Sequence, residues 1–308
     1  GKDSVNIFVL HPNNRVSTVQ RKLMTTGKEK NVFNIAVDGN FDDCQNLVKA
    51  MFADKSFSKE IKMSGVNSIN WARIIAQSVY YFYSYFLIEE NNKPINFSVP
   101  TGNFGDVYAG YLAKKMGLPI NKFVVATNQN DILHRAISSG TYDVEKVSET
   151  ISPSMDIQIA SNFERLIYDL NNCNDTKTIS AMKDIKEKGK YLIDKENLDK
   201  INIDFLSSQI SEDETLKTIK TVYEKFNIVL DPHTAIGYGA FDKVNLKGNN
   251  VVLATAHPCK FPDAIKRSIN INAKLPNELS FIMEEKEDYD IIENNLEKIK
   301  QHIKERIL

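Results

Sequence analysis

Short apolar runs alternate with segments of helical periodicity along most of the 308 residues. The apolar runs predict strands at Val5–Leu10, Val32–Val37, Asn96–Val99, Phe123–Ala126 and Val251–Thr255. The helical spacing of apolar residues predicts helices near Val16–Met24, Asp42–Phe52, Ser68–Leu87, Asp106–Met116 and Ile132–Ser139. Several runs are almost continuously apolar, which is typical of strands covered by helices on both faces. The pattern therefore predicts an α/β fold made of parallel βαβ units.

The character of the chain changes near residue 63. Residues 1–62 predict the remainder of a smaller α/β domain, and residues 63–308 predict a large α/β domain with a helical insertion around 161–226. In the helix predicted for the segment WARIIAQSVYYFYSYF, aromatic residues lie on several faces, so we expect this helix to be deeply buried. Near the C-terminus, a docked helix is predicted by the spacing of Ile292, Leu296, Ile299, Ile303 and Ile307.

Composition narrows the possible functions. With 39 basic and 40 acidic residues the formal net charge is −1, which disfavours nucleic-acid or membrane-surface binding. No apolar run approaches the roughly 18 residues that a bilayer span requires. The three cysteines, Cys44, Cys173 and Cys259, lack CxxC spacing. We therefore expect no disulfide framework and no metal site, and a cytoplasmic location.

The segment PTGNFGD, which joins a predicted strand to a predicted helix, is the main candidate for chemistry. Gly102 and Gly105 lack side chains and permit unusual backbone angles, so backbone N–H groups at the helix start can converge on an anion such as phosphate. The spacing fits neither a Walker loop nor GxGxxG. The residues alone leave a second interpretation open, in which PTGNFGD is only a tight turn with Asp106 as N-cap.

Several long segments resemble threonine synthases of the longer, fungal and bacterial type. They are, in chain order and in the family's order, HPNNRVSTVQRKLMTT, VNSINWARIIAQSVYYFY, VPTGNFGDVYAGYLAKKMGLPI, FVVATNQNDILHRAISSGTY, LDPHTAIGYGAF and ATAHPCKFPDAI. The resemblance implies the tryptophan-synthase-β-like fold, fold type II of the pyridoxal-phosphate enzymes. It also implies a lyase that converts O-phospho-L-homoserine and water into L-threonine and phosphate, with pyridoxal 5'-phosphate as cofactor and a small molecule as substrate.

The resemblance assigns roles to individual positions of this sequence. It implies a cradle for the cofactor phosphate formed by Gly102, Asn103, Phe104, Gly105 and Asp106. It places the hydroxyl of Thr255 beside the pyridine nitrogen, and it implies that Asn67, Ser68 and Arg73 bind the substrate phosphate. His134 and His257 lie in matching segments, but we expect both to be structural.

The lysine that would form the Schiff base is not found among the segments that match. In the family it precedes an SGDTG-like segment, and both lie before the part that GKDSVNIFVL resembles, so Lys2 is not a candidate. We therefore predict that an N-terminal portion is absent, that no catalytic residue is present and that the chain alone is inactive. The chain is expected to be a monomer or a homodimer.

Two other interpretations stay open. The first is a noncatalytic remnant of a threonine synthase that binds a phosphorylated ligand or a partner. The second is a related lyase acting on another amino acid, which VNSINWAR and TAHPCKFP disfavour.

Overall fold

A computed structural model of the chain describes residues 4–68, 70–88 and 93–307. Within these residues the strands, β1 to β9 in chain order, are Ile7–Pro12, Val32–Asp38, Ile95–Pro100, Ile120–Thr127, Thr141–Asp143, Lys190–Leu192, Phe205–Gln209, Asn249–Val252 and Asp290–Glu293. The α-helices described, α1 to α13, are Thr18–Thr25, Phe41–Ala53, Lys55–Glu60, Trp71–Phe86, Gly105–Lys115, Ile132–Ser139, Phe163–Leu170, Asp175–Lys188, Lys195–Asp204, Glu212–Phe226, Pro232–Val244, Pro262–Ile269 and Leu296–Ile307. Lys2 lies outside the described residues.

The chain forms two compact units, one of residues 1–65 with 274–308 and the other of residues 66–273. In the first unit, β1, β2 and β9 form a parallel sheet with β2 in the centre. Its core joins Ile35 and Val37 of β2 to Ile299 and Ile303 of α13. This division differs from the predicted one, which placed residues 274–308 in the large domain, because pairing of β9 with β2 brings the C-terminal segment into the first unit.

The helix predicted from Ile292 onwards is shorter than its apolar spacing suggests. Ile292 lies in β9, and α13 begins at Leu296. A β-branched residue at the first position of the stripe fits a strand as well as a helix. The prediction of a helix is therefore wrong for Ile292 and confirmed from Leu296 onwards.

The second unit contains a four-stranded parallel sheet in the order β7-β4-β3-β8. Every residue of β3 is buried, as expected for a strand covered on both faces. Since all four strands are parallel, their carboxyl ends lie at one edge of the sheet. The prediction missed β7, which has the sequence FLSSQ and lies within the segment interpreted as a helical insertion.

The aromatic helix α4 is less buried than predicted. Ile74, Ser78, Tyr81 and Tyr85 face the interior. The opposite side carries exposed apolar residues, namely Trp71, Ile75, Val79, Tyr80, Tyr83 and Phe86. The expectation of deep burial is therefore wrong in this structure: α4 buries one face only.

Among the described residues, no helix combines the length and apolarity that crossing a membrane would require. The same residues contain no group of three or more His, Cys, Asp or Glu side chains arranged to hold a metal ion.

Candidate phosphate-binding site

The glycine-containing loop runs from the carboxyl end of β3 into the start of α5. Its only left-handed residue is Phe104, at φ +68°, which is the N-cap of α5. Such a backbone costs a non-glycine residue roughly 1–2 kcal/mol. The Phe104 ring is fully buried against Phe163 and Phe205, at centroid distances of 5.2 and 5.8 Å, and burial of this size offsets that cost.

Of the two properties predicted to matter at these glycines, the missing side chain does and the unusual backbone angle does not. Neither Gly102 nor Gly105 has a positive φ, so unusual backbone angles do not explain them. A Cβ at Gly102 would lie 2.6 Å from the backbone oxygen of Ser154. A Cβ at Gly105 would lie 3.1 Å from the Cβ of Ser68 and 3.2 Å from Oδ1 of Asn103. The glycines provide space for close approach of the neighbouring chain.

The loop presents backbone donors of the kind an anion requires. Among the residues that the structure describes, no acceptor is found for the backbone N–H groups of Gly102, Asn103, Phe104 and Asp106. The N–H groups at the start of α5 add the positive end of its helix dipole. The loop thus combines N–H donors with the positive end of the helix, which together fit a phosphate group.

Asp106 lies in the first turn of α5 and does not cap it. The interpretation as N-cap is wrong, because that position belongs to Phe104 and no side chain caps the helix. The Tyr81 hydroxyl donates to the backbone oxygen of Asp106 at 2.8 Å and lies 3.3 Å from its Oδ1. Burial raises the pKa of Asp106 to about 6, although the Tyr81 hydrogen bond and the charge of Arg73 act in the opposite direction.

Ser68, predicted to bind the substrate phosphate, is hydrogen-bonded to Asn103 of the loop that is predicted to bind the cofactor phosphate. Its Oγ accepts from Nδ2 of Asn103 at 3.1 Å and from Nδ2 of Asn162 at 3.0 Å. Oδ1 of Asn103 accepts the N–H of Gly105 at 3.0 Å. Nε of Arg165 donates to Oδ1 of Asn162 at 2.9 Å. Ser68 and Asn162 are 8% and 2% exposed, so these two side chains are shielded from water, whereas Asn103 is exposed.

Sequence reasoning missed Asn162 and Arg165. The guanidinium of Arg165 lies 5.2 Å from the centre of the Trp71 ring, a cation–π contact at the start of α4. The segment SNFERL could have been noticed for its arginine three residues after an asparagine. Its distance from Ser68 along the chain gave no indication that the two meet.

The other predicted residues lie around this cluster. Asn67 and Arg73 are exposed, and Arg73 faces Asp106 closely enough to influence its pKa. The exposure of Arg73 agrees with the one-sided burial of α4, a helix that was expected to be deeply buried. Thr255 is exposed and follows β8, which ends at Val252, three residues earlier than predicted. Because β8 pairs with β3 in parallel, Thr255 and the loop follow adjacent strands at the same edge of the sheet.

The two histidines considered in the sequence analysis have local partners. Nδ1 of His134 lies 2.8 Å from the Ser207 hydroxyl, and burial lowers its pKa. Nδ1 of His257 accepts the backbone N–H of Cys259 at 3.2 Å, which closes a short turn. These contacts agree with structural roles.

Comparison with known proteins gives consistent matches. The family model described as "Threonine synthase, C-terminal" matches residues 234–303. Threonine synthase from Pseudomonas aeruginosa is 45% identical over 98% of this chain and 65% of its own length. Threonine synthase from Saccharomyces cerevisiae is 42% identical over 100% of this chain and 65% of its own. The crystal structure of PLP-bound threonine synthase from Brucella melitensis is 44% identical, with a TM-score of 0.94 over 99% of this chain and 66% of that chain.

Each unit contains a parallel sheet, and the glycine loop lies at the carboxyl edge of the sheet in the second unit. Together with the structural match, these features define the class: a fold type II, tryptophan-synthase-β-like α/β protein. Within that class, the chain belongs to the threonine synthase family. It spans about 65% of the length of the curated relatives it matches.

Proposed function

We propose that this chain provides the cofactor-phosphate and substrate-phosphate sites of a threonine synthase, which uses pyridoxal 5'-phosphate to convert O-phospho-L-homoserine and water into L-threonine and phosphate. The observation that carries the proposal is the loop 102–106, where four backbone N–H groups lack acceptors among the described residues and Ser68 is bonded to Asn103. The relatives at 45% and 42% identity support it.

The cofactor would be held by its phosphate. The cradle would be formed by Gly102, Asn103, Phe104, Gly105 and Asp106 at the start of α5. The backbone N–H groups of Gly102, Asn103, Phe104 and Asp106 would donate to the anion, while the N–H of Gly105 is donated to Oδ1 of Asn103. The hydroxyl of Thr255 would meet the pyridine nitrogen. When bound, pyridoxal phosphate supplies the electron sink for the reaction, and a neutral hydroxyl partner keeps that sink moderate.

The substrate phosphate would bind beside this loop. Ser68 supplies a hydroxyl, Asn67 a neighbouring amide and Arg73 a planar set of charged donors. Arg73 has the further effect of favouring the ionised form of Asp106. An ionised Asp106 would repel a phosphate, so the raised pKa of this carboxyl favours binding on the acidic side of neutrality.

The proposal places the lysine that bonds to the cofactor outside this chain. We therefore expect the 308-residue chain to bind pyridoxal phosphate without a covalent bond and to be inactive alone. The three cysteines are free thiols in the structure, which fits a reducing cytoplasm. The proposed partner is a small-molecule substrate, and the proposed assembly is a monomer or a homodimer.

Titration of the purified chain with pyridoxal phosphate tests this function. Trp71 is the only tryptophan and lies at the site, so its fluorescence reports binding there. We expect saturable binding that Gly102→Ala weakens and Gly27→Ala, a glycine with nothing near its Cβ position, leaves unchanged. The titrated sample is then reduced with borohydride and analysed by mass spectrometry. Absence of saturable binding, or stoichiometric modification of one lysine of this chain, would contradict the proposal.

A further inference from the structure

The hydroxyl of Ser68 has only one hydrogen-bonding capacity left. A serine hydroxyl offers one O–H donor and two acceptor lone pairs. Both lone pairs of Ser68 are engaged, one by Nδ2 of Asn103 at 3.1 Å and one by Nδ2 of Asn162 at 3.0 Å. Among the described residues, no hydrogen bond donated by this hydroxyl is found. The group is therefore a donor toward anything that binds beside it.

The orientation of both amides is fixed by a second contact. Oδ1 of Asn103 accepts the backbone N–H of Gly105 at 3.0 Å, so Nδ2 must face Ser68. Oδ1 of Asn162 accepts Nε–H of Arg165 at 2.9 Å, which fixes the second amide in the same sense. If either amide turned by 180°, its oxygen would face the hydroxyl and take the Ser68 proton for itself.

Arg165 is itself held in place. Its guanidinium lies 5.2 Å from the centre of the Trp71 ring, and its Nη2 lies 3.5 Å from the backbone oxygen of Ser68. Asn162 also donates its backbone N–H to the backbone oxygen of Asn103 at 3.0 Å. The start of α7 is thus attached to both partners of the Ser68–Asn103 bond.

We propose that Asn162, oriented by Arg165, is a positioning residue that commits the Ser68 hydroxyl to donate its hydrogen bond to the phosphate of the substrate. This inference rests on the proposed function and adds two residues to it. An ionised phosphate accepts hydrogen bonds and donates none, so a hydroxyl restricted to donation matches it. The contact is strengthened because Ser68 and Asn162 are shielded from water.

The position of Ser68 supports this assignment. A Cβ at Gly105 would lie 3.1 Å from the Ser68 Cβ and 3.3 Å from Nδ2 of Asn162. The Ser68 side chain is therefore packed against the first residue of α5, where the loop N–H groups converge. A phosphate that receives the Ser68 hydrogen bond lies next to those groups, and the two sets of donors act in one region.

The test is Asn162→Asp, which keeps the shape of the side chain and replaces the amide donor by a carboxylate acceptor. With the chain saturated by pyridoxal phosphate, inorganic phosphate is titrated and followed by Trp71 fluorescence. Since a hydrogen bond to a charged group is involved, we expect phosphate affinity to fall about tenfold or more. In a Ser68→Ala background the same substitution should have a much smaller effect, because the hydroxyl it orients is gone.

Two further variants separate positioning from charge and from folding. Arg165→Lys keeps the positive charge but loses the Nε–H group that holds Asn162, and we expect a several-fold loss that also disappears in the Ser68→Ala background. Asn197→Asp changes another buried amide, one that bonds to Asn171 and Asp194 away from the loop, and should leave phosphate affinity unchanged. Circular dichroism of each variant establishes that it is folded.

The outcomes distinguish this inference from the function on which it rests. If the wild-type chain binds neither pyridoxal phosphate nor phosphate, the proposed function fails. If the wild-type chain binds both while folded Asn162→Asp and Arg165→Lys bind phosphate as well as it does, the positioning role is overturned. The same holds if either variant loses equal affinity with and without the Ser68 hydroxyl.

Discussion

Replacing Gly102 by alanine should destabilise the unit of residues 66–273 by about 1–2 kcal/mol. The added Cβ would lie 2.6 Å from the backbone oxygen of Ser154 and 3.3 Å from Cα of Met155. The first distance must grow by several tenths of an ångström, and both obstacles are backbone atoms that cannot rotate away. Met155 is 2% exposed and packs in a core cluster with Ile236, so the 153–155 segment has little room to retreat.

Two opposing terms give this magnitude. Overpacking of a tight site costs typically about 1–3 kcal/mol, while the lower chain entropy of alanine returns about 0.4–1 kcal/mol where the backbone is compatible, as it is at Gly102. Urea unfolding followed by Trp71 fluorescence measures the change in this unit. Gly27→Ala, with nothing within 4 Å of its Cβ position, is the control and should be neutral or slightly stabilising when measured by circular dichroism. A Gly102→Ala chain as stable as the wild type would refute the close-approach explanation.

Further substitutions test the surroundings of the loop. Folding raises the pKa of Asp106 from 3.8 to about 6, so the protonated carboxyl favours the folded state. This contribution to the free energy of unfolding is present below about pH 4 and is lost as the pH rises through 6. Asp106→Asn should therefore remove up to about 3 kcal/mol of the fall in unfolding free energy between pH 4 and pH 7, as measured by urea titration at both pH values. An equal pH dependence in variant and wild type would contradict this assignment. Gly110→Ala would place a Cβ 2.4 Å from the Tyr81 ring and 2.7 Å from Phe123, so we expect a net loss of about 1–3 kcal/mol despite better helix propensity. Calorimetry measures this loss, and a variant with an unchanged or raised melting temperature would show that α4 and α5 do not meet as described.

Much of the fold follows from local patterns. The five predicted strands and five predicted helices all exist with small differences at their ends, because each is a compact apolar run or a clear helical stripe. The strand β7 was missed since FLSSQ is short and half polar, and only its pairing with β4 makes it a strand. Pairing of this kind depends on residues far away along the chain, which one sequence does not reveal.

The position of the site was predictable from the sequence, but the full reason for its glycines and the roles of Asn162 and Arg165 were not. The position of the loop follows from a strand, two glycines and a helix, all of which are local. The reason for the glycines is not local, since Ser154 and Ser68 occupy the space that a side chain would need. Asn162 and Arg165 reach Ser68 only through tertiary packing, so no spacing rule indicates them. The left-handed backbone of Phe104 was equally unexpected, because it is sustained by burial of the ring.

The exposure of α4 has a similar origin. Its sequence is apolar on nearly every side, which predicts burial on all sides, yet only the face with Tyr81 and Tyr85 packs against the rest of the unit. The spacing of apolar residues shows which faces of a helix can be buried. Packing in the folded chain decides which of these faces is buried.

The most direct test of the central claim is the crystal structure of the chain soaked with pyridoxal phosphate. The account predicts phosphate oxygens within about 3 Å of the backbone nitrogens of Gly102, Asn103, Phe104 and Asp106, with the N–H of Gly105 still donated to Oδ1 of Asn103. Electron density for the phosphate at another place, with the 102–106 loop closed and its N–H groups bonded to protein acceptors, would contradict it.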